Sequence, residues 1–182
     1  MSTRTHVIVD HGLQDYLDMR SAVALLAQTL PTTTAIDSYW DSVDPLESKR
    51  APEQWRPAPH HKSVEPVFTG PGGLLVNFGL HVICIYASAR WSGFLTIEPL
   101  RTVHLTAFRS IARCVGGTRL LLLPDAMDEG YDVINEALSQ DECAARLRNK
   151  YGPPQPSVTA IPPGAFTASV PGSHLVWFSE AL

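Results

Sequence analysis

The sequence predicts an α/β (or α+β) domain, with a mixed sheet around a central β-hairpin, helices packed on it and a long Pro-rich loop. Three observations lead there. Leu100, Val103, Ala107, Phe108, Ile111 and Val115 recur at helical spacing between Pro99 and a Gly116-Gly117 stop. Leu120 to Leu123, bounded by Gly117 and Pro124, suit a strand buried on both sides. The runs Leu74 to Phe78 and His81 to Ala87, rich in Val, Ile, Phe and Tyr, pair as a hairpin turned at Asn77 to Leu80. With 182 residues, 45% of them hydrophobic and 18% charged, the chain fits a single domain, 1–182, with a substantial core.

In chain order, His6 to Val9 reads as a short strand. Gly12 turns the chain into a helix over about Asp15 to Thr29, with Tyr16, Met19, Val23, Leu26 and Leu30 as its apolar stripe. Pro31 ends that helix, because the residue before proline is pushed out of helical geometry. Thr32 to Thr34 cap a shorter helix in which Ile36, Tyr39, Trp40 and Val43 share a face. Residues 44–73 carry Pro45, Pro52, Pro57, Pro59, Pro66 and Pro71 in a polar stretch, which predicts an irregular loop onto which Trp55 packs. The run Thr69-Gly70-Pro71-Gly72-Gly73 precedes a strand and lacks the lysine of a phosphate-cradling loop, so it reads as a flexible entry to the hairpin.

A third short strand is expected over Trp91 to Thr96. Beyond the leucine strand, Val133, Ile134, Ala137 and Leu138 mark a helix, and Ser139-Gln140-Asp141-Glu142 is a capping-box pattern opening the next. Gly152 and Pro153-Pro154 stop it. Residues 153–172, rich in Pro, Ser, Thr and Ala, are expected to be irregular, and His174 to Phe178 adds a last strand.

Composition narrows the function. A formal net charge of −4, with Lys and Arg scattered along the chain, provides no concentrated basic footprint for nucleic acid. Cys84, Cys114 and Cys143 lie far apart in apolar surroundings and read as free, buried thiols. The short apolar run at His6 to Val9 is too brief for a signal-peptide core, and no apolar stretch approaches the ~20 residues of a membrane span. The expected compartment is the cytoplasm, without a membrane partner. No cofactor motif is present, so no cofactor is expected, and no Gly-x-Ser-x-Gly elbow marks a nucleophile.

Two arrangements of residues carry candidate chemistry. Asp10 and His11 follow the first strand, and Asp125, Asp128 and Glu129 follow the leucine strand. Were those strands parallel neighbours, the Asp10, His11, Asp125 and Asp128 side chains would converge in one crevice suited to a divalent metal or to acid-base chemistry. The same acids also suit the start of a helix, whose dipole they complement. His60-His61 reads as a pair of loop histidines and His104 as a core histidine with a hydrogen-bond partner. The second arrangement is a docking surface: Trp40, Asp41, Asp44, Trp55, Arg90, Trp91, Asp125, Asp128 and Glu129 supply aromatic and arginine anchors beside acids that steer a basic partner.

In this general texture, small, acidic and motif-poor, the chain resembles the immunity proteins of bacterial toxin systems. That resemblance is compositional and carries over no residue. It implies a non-catalytic protein-binding function, neutralising a partner toxin by occlusion. The competing readings are the metal-dependent or acid-base enzyme of the crevice and a small-molecule sensor whose sheet and loop form a pocket.

Overall fold

The computed structural model describes residues 4–13, 19–43, 51–58, 66–160 and 176–182. It is a mixed α/β fold in which helices cover both faces of one seven-stranded sheet. β1 (Arg4–Asp10) runs through the middle, between β5 (Val82–Arg90) and β6 (Arg119–Pro124). Beyond β5 lie β4 (Leu75–Phe78), β3 (Val67–Thr69) and β2 (Arg56–Pro57), and beyond β6 lies β7 (Phe178–Ala181). Every ladder between these strands is antiparallel. Among the described residues, the expected mixed pairing survives only as an isolated parallel bridge from Gln155 to Phe178. A four-leucine run buried on both faces therefore needs no parallel neighbours; it needs a helix layer on each side.

The period of two divides β1 and β6 cleanly. Val7, Val9, Leu120 and Leu122 face one side, where α1 (Met19–Ala27), α2 (Leu30–Val43), α3 (Trp91–Thr96) and α4 (Glu98–Cys114) pack, with Ile36, Phe94, Phe108 and Ile111 wholly buried. Ile8, Cys84, Leu121 and Leu123 face the other, under α5 (Glu129–Asn135) and α6 (Gln140–Tyr151).

α6 opens on the expected capping box: the Glu142 amide donates to Ser139 Oγ (3.3 Å), and the Ser139 amide to Glu142 Oε2 (2.8 Å). The hairpin and the long helix also form as expected. Among the described residues, no helix is long and apolar enough to cross a membrane.

Four local expectations change. Pro31 begins α2 rather than ending α1, because the first turn of a helix has no use for the missing N–H. Thr32 and Thr34 do not cap; their hydroxyls donate back to Thr29 and Leu30 carbonyls (2.8 and 2.7 Å). Trp91–Thr96 is helical, with Trp91, Phe94 and Leu95 buried at i, i+3 and i+4. Finally, residues 44–73 are not irregular throughout, since β2 and β3 extend the sheet there and Phe68 meets the Phe78 ring edge-on at 5.7 Å. Pro57 is tolerated because β2 is an edge strand.

The glycine run is likewise a fixed turn. Pro71–Gly73 forms a 3-10 turn in which Gly72 takes a φ of 70° and donates its N–H to Asp37 Oδ1 at 2.9 Å. In the tail, Val158 is buried within a second 3-10 turn, and the last strand runs Phe178–Ala181, overlapping the expected strand at Phe178, while its expected start at His174 lies outside the described residues. Residues 161–172, like Asp44 and His60-His61, lie outside the described residues.

Candidate functional site

The start of β1, the end of β6 and the start of α5 meet at one corner of the sheet. Asp125 fixes the join. Its Oδ1 accepts the Arg4 N–H at 2.8 Å, and its own N–H returns to the Arg4 carbonyl at 2.9 Å, carrying the β1–β6 ladder one step past Thr5 and Pro124. A tight turn follows, closed by Met127 N–H to the Pro124 carbonyl (3.0 Å), with the Met127 side chain wholly buried as its anchor. Asp128, exposed, precedes α5 and receives the Tyr131 and Asp132 amides on its carbonyl (2.8 and 3.0 Å).

This places Tyr131 on the outside of the corner, 47% exposed. Its ring stacks on Tyr86 (5.9 Å between centroids, 29° between planes) and stands over the edge of His6 (5.0 Å, 74°). Burial raises the Tyr131 phenol above its ordinary range; the charge of Asp125 adds to this, Arg4 opposes it and Asp128 adds a little more. Arg90, exposed, lies across from Arg4 in the β1–β5 register. The corner therefore presents a half-exposed phenol ring beside Arg4, Asp125 and Asp128, with Arg90 across the β1–β5 ladder.

The structure brings Asp125 and Asp128 together beside Tyr131, places Arg90 near them through its register opposite Arg4, and disperses the other docking candidates. Trp55 is buried and donates its indole N–H to Thr29 Oγ1 at 3.2 Å. Trp91 is 1% exposed and stacked on Phe94 (5.6 Å). Glu129 is buried, with Oε1 3.0 Å from Lys150 Nζ. These three belong to the interior because large rings and a paired carboxylate gain more there than at a rim. Trp40 is half-buried on α2, its ring edge-on to Tyr39 at 5.4 Å, and Asp41 is exposed beside it, on the opposite sheet face from α5. Trp55→Phe should cost about 1 kcal/mol in urea unfolding through the lost Thr29 bond, and leave binding at the corner unchanged.

The proposed metal crevice does not form. β1 and β6 are antiparallel, so Asp10 and Asp125 sit at opposite ends of β1, about 20 Å apart at the rise of a strand. Asp10 is occupied by the Thr118 amide and hydroxyl (both 3.2 Å), and His11 Nε2 donates to the Gly79 carbonyl at 3.0 Å. Among the described residues, no group of three or more His, Cys, Asp or Glu side chains could hold a metal ion.

Cys114, expected to be buried, is half-buried, its thiol donating to the Leu25 carbonyl at 2.9 Å, while His104, Cys84 and Cys143 are held in the core. His104 donates Nδ1–H to the Leu100 carbonyl at 2.8 Å, and burial lowers its pKa to about 4. Burial also raises the Cys84 thiol and pushes Cys143 up to about 12, which leaves both as protonated apolar groups. The residues that sequence reasoning missed are His6, Tyr86 and Tyr131. The signal for His6 and Tyr86 lay in the alternation of β1 and β5, which places the two on one face as direct cross-strand partners.

Compared with protein-family models, curated proteins and solved structures, the chain finds no match.

Proposed function

We propose that the protein is a non-catalytic binding protein that docks a protein partner through the corner formed by Arg90, Asp125, Asp128 and Tyr131, in the manner of an immunity-type inhibitor that occludes a toxin. One observation carries this reading. The Tyr131 ring is half-exposed yet held in place by Tyr86 and His6, so a partner that covers it loses little side-chain freedom. A pre-set aromatic anchor beside charged groups of both signs is the composition of an interface hot spot. Asp125 and Asp128 select a basic patch opposite them, and the net charge of −4 steers such a partner from a distance. The cytoplasm of a bacterium is the setting in which such a protector would act.

The test is a pull-down from the native host with the wild-type protein and an Asp125→Asn/Asp128→Asn variant. A basic partner should be retained by the wild type. The variant should capture it with an association rate lower by about tenfold at low salt, the difference shrinking toward 0.5 M salt as screening removes the steering. Absence of a stable partner, or a partner whose association ignores both salt and the double substitution, removes the reading.

A further inference from the structure

We infer that His6 is an acid-operated latch on this corner: protonation of its imidazole releases α5 from the sheet while the ladders of β1 stay paired. His6 sits within β1, hydrogen-bonded into the sheet between Tyr86 of β5 and Leu123 of β6, and only 4% of it is exposed. Its ring stands edge-on to Tyr86 (4.2 Å, 89°) and to Tyr131 (5.0 Å, 74°). Nδ1 is buried and has no hydrogen-bond partner. Gly130 of α5 closes over that nitrogen so tightly that a Cβ added there would lie 2.7 Å from it. The orphan nitrogen thus lies in the seam between β1 and α5.

Among the described residues, no group is hydrogen-bonded to His6 Nδ1, and no neighbouring charge offsets its burial. On β1, Arg4 carries like charge. From β5 come Tyr86 and Cys84, both held protonated by burial. From the end of β6 comes Asp125, committed to the Arg4 amide. The α5 side supplies Tyr131, with Asp128 just before the helix, and Glu129, whose Oε1 is tied to Lys150 of α6 while its Oε2 is buried without a hydrogen-bond partner; Cys143 of α6 lies behind it, also protonated. Burial alone acts on His6 and lowers its pKa to about 3.

A proton forced onto the ring must therefore be relieved by movement, and the two sides of the seam differ in strength. β1 is paired along both edges, whereas α5 is seven residues long and seated through Val133 and Ile134. Opening the helix exposes Nδ1 to water and restores an ordinary histidine. The closed corner holds His6 neutral and the open one binds the proton, so acid favours opening, from about pH 6.5 downward. At pH 5 the opening equilibrium should stand about 25-fold above its value at pH 7.

Hydrogen exchange read by mass spectrometry at pH 7 and pH 5, corrected for intrinsic rates, tests the latch without any partner. The expected result is a selective loss of protection over 129–135 at pH 5, larger than that of β1 and β5, and its disappearance in His6→Gln or, should that variant not fold, in His6→Leu. Uniform acceleration across α5 and the sheet in the wild type, unchanged protection of α5, or a response that persists in the variant would overturn it. Because the readout needs no partner, its failure is separate from failure of the docking reading.

Discussion

Gly72→Ala, in the turn between β3 and β4, should lower the stability of the protein by about 2–4 kcal/mol. Gly72 holds a φ of 70°, the left-handed region that an L side chain enters at a cost. The added Cβ would also lie 2.7 Å from Ile36 Cβ and Cγ2, and Ile36 is a wholly buried residue of α2 that cannot swing away. The Gly72 N–H to Asp37 bond would stretch with any retreat. Gly152→Ala is the control. Its φ of 84° and ψ of −175° are a conformation open almost only to glycine, so it should cost about 1–3 kcal/mol through backbone strain alone, since nothing lies within 4 Å of the new methyl. Urea unfolding measures both losses, and a Gly72→Ala loss no greater than the ~1 kcal/mol of left-handed backbone strain would contradict the packing argument.

Acid should destabilise the whole fold through His104. Its folded-state pKa of about 4 lies below the ordinary value of 6.5, so between those values the unfolded chain binds more protons than the folded one. Stability from this group is complete above pH 6.5, falls as pH drops through that value, and levels off below about 4. At pH 5 the loss is on the order of 2 kcal/mol, a large share of the 5–15 kcal/mol typical of a domain. His104 Nε2 is buried with no partner against the Phe108 ring at 5.9 Å, so His104→Leu removes an unsatisfied acceptor along with the titration. The variant should match or exceed wild-type stability at pH 7 and lose less on going to pH 5. An unchanged slope of unfolding free energy against pH would assign the acid sensitivity elsewhere.

The parts of the fold legible in the sequence are those whose signals are local. The apolar face from Leu100 to Val115, the leucine strand, the Leu75–Arg90 hairpin and the Ser139 capping box each announce themselves within a few residues. Strand order is not local: β1 is inserted between β5 and β6 by contacts 72 and more residues apart, and the direction of that pairing decides whether Asp10 meets Asp125. Trp91–Thr96 shows how a short element misleads. Its aromatic residues suit a strand, yet the i, i+3, i+4 spacing of Trp91, Phe94 and Leu95 is helical, and burial of that face wins. Exposure was the least legible property of the candidate site, because Trp55, Trp91 and Glu129 have the composition of an interface while packing as interior. Tyr131 was overlooked among the acids that flank it, which drew attention to themselves as ligands.

Residue-specific photo-crosslinking in the native host tests the central claim most directly, with a photoreactive side chain placed at position 128 or at position 80. Leu80 is exposed in the β4–β5 turn at the opposite end of the sheet, beside the Asp10 pairing with Val82. The corner account predicts that position 128 captures one basic protein, that position 80 does not, and that Tyr131→Ala removes the cross-link while the fold remains intact. Capture from position 80 alone, or from position 128 undiminished by Tyr131→Ala, would contradict it.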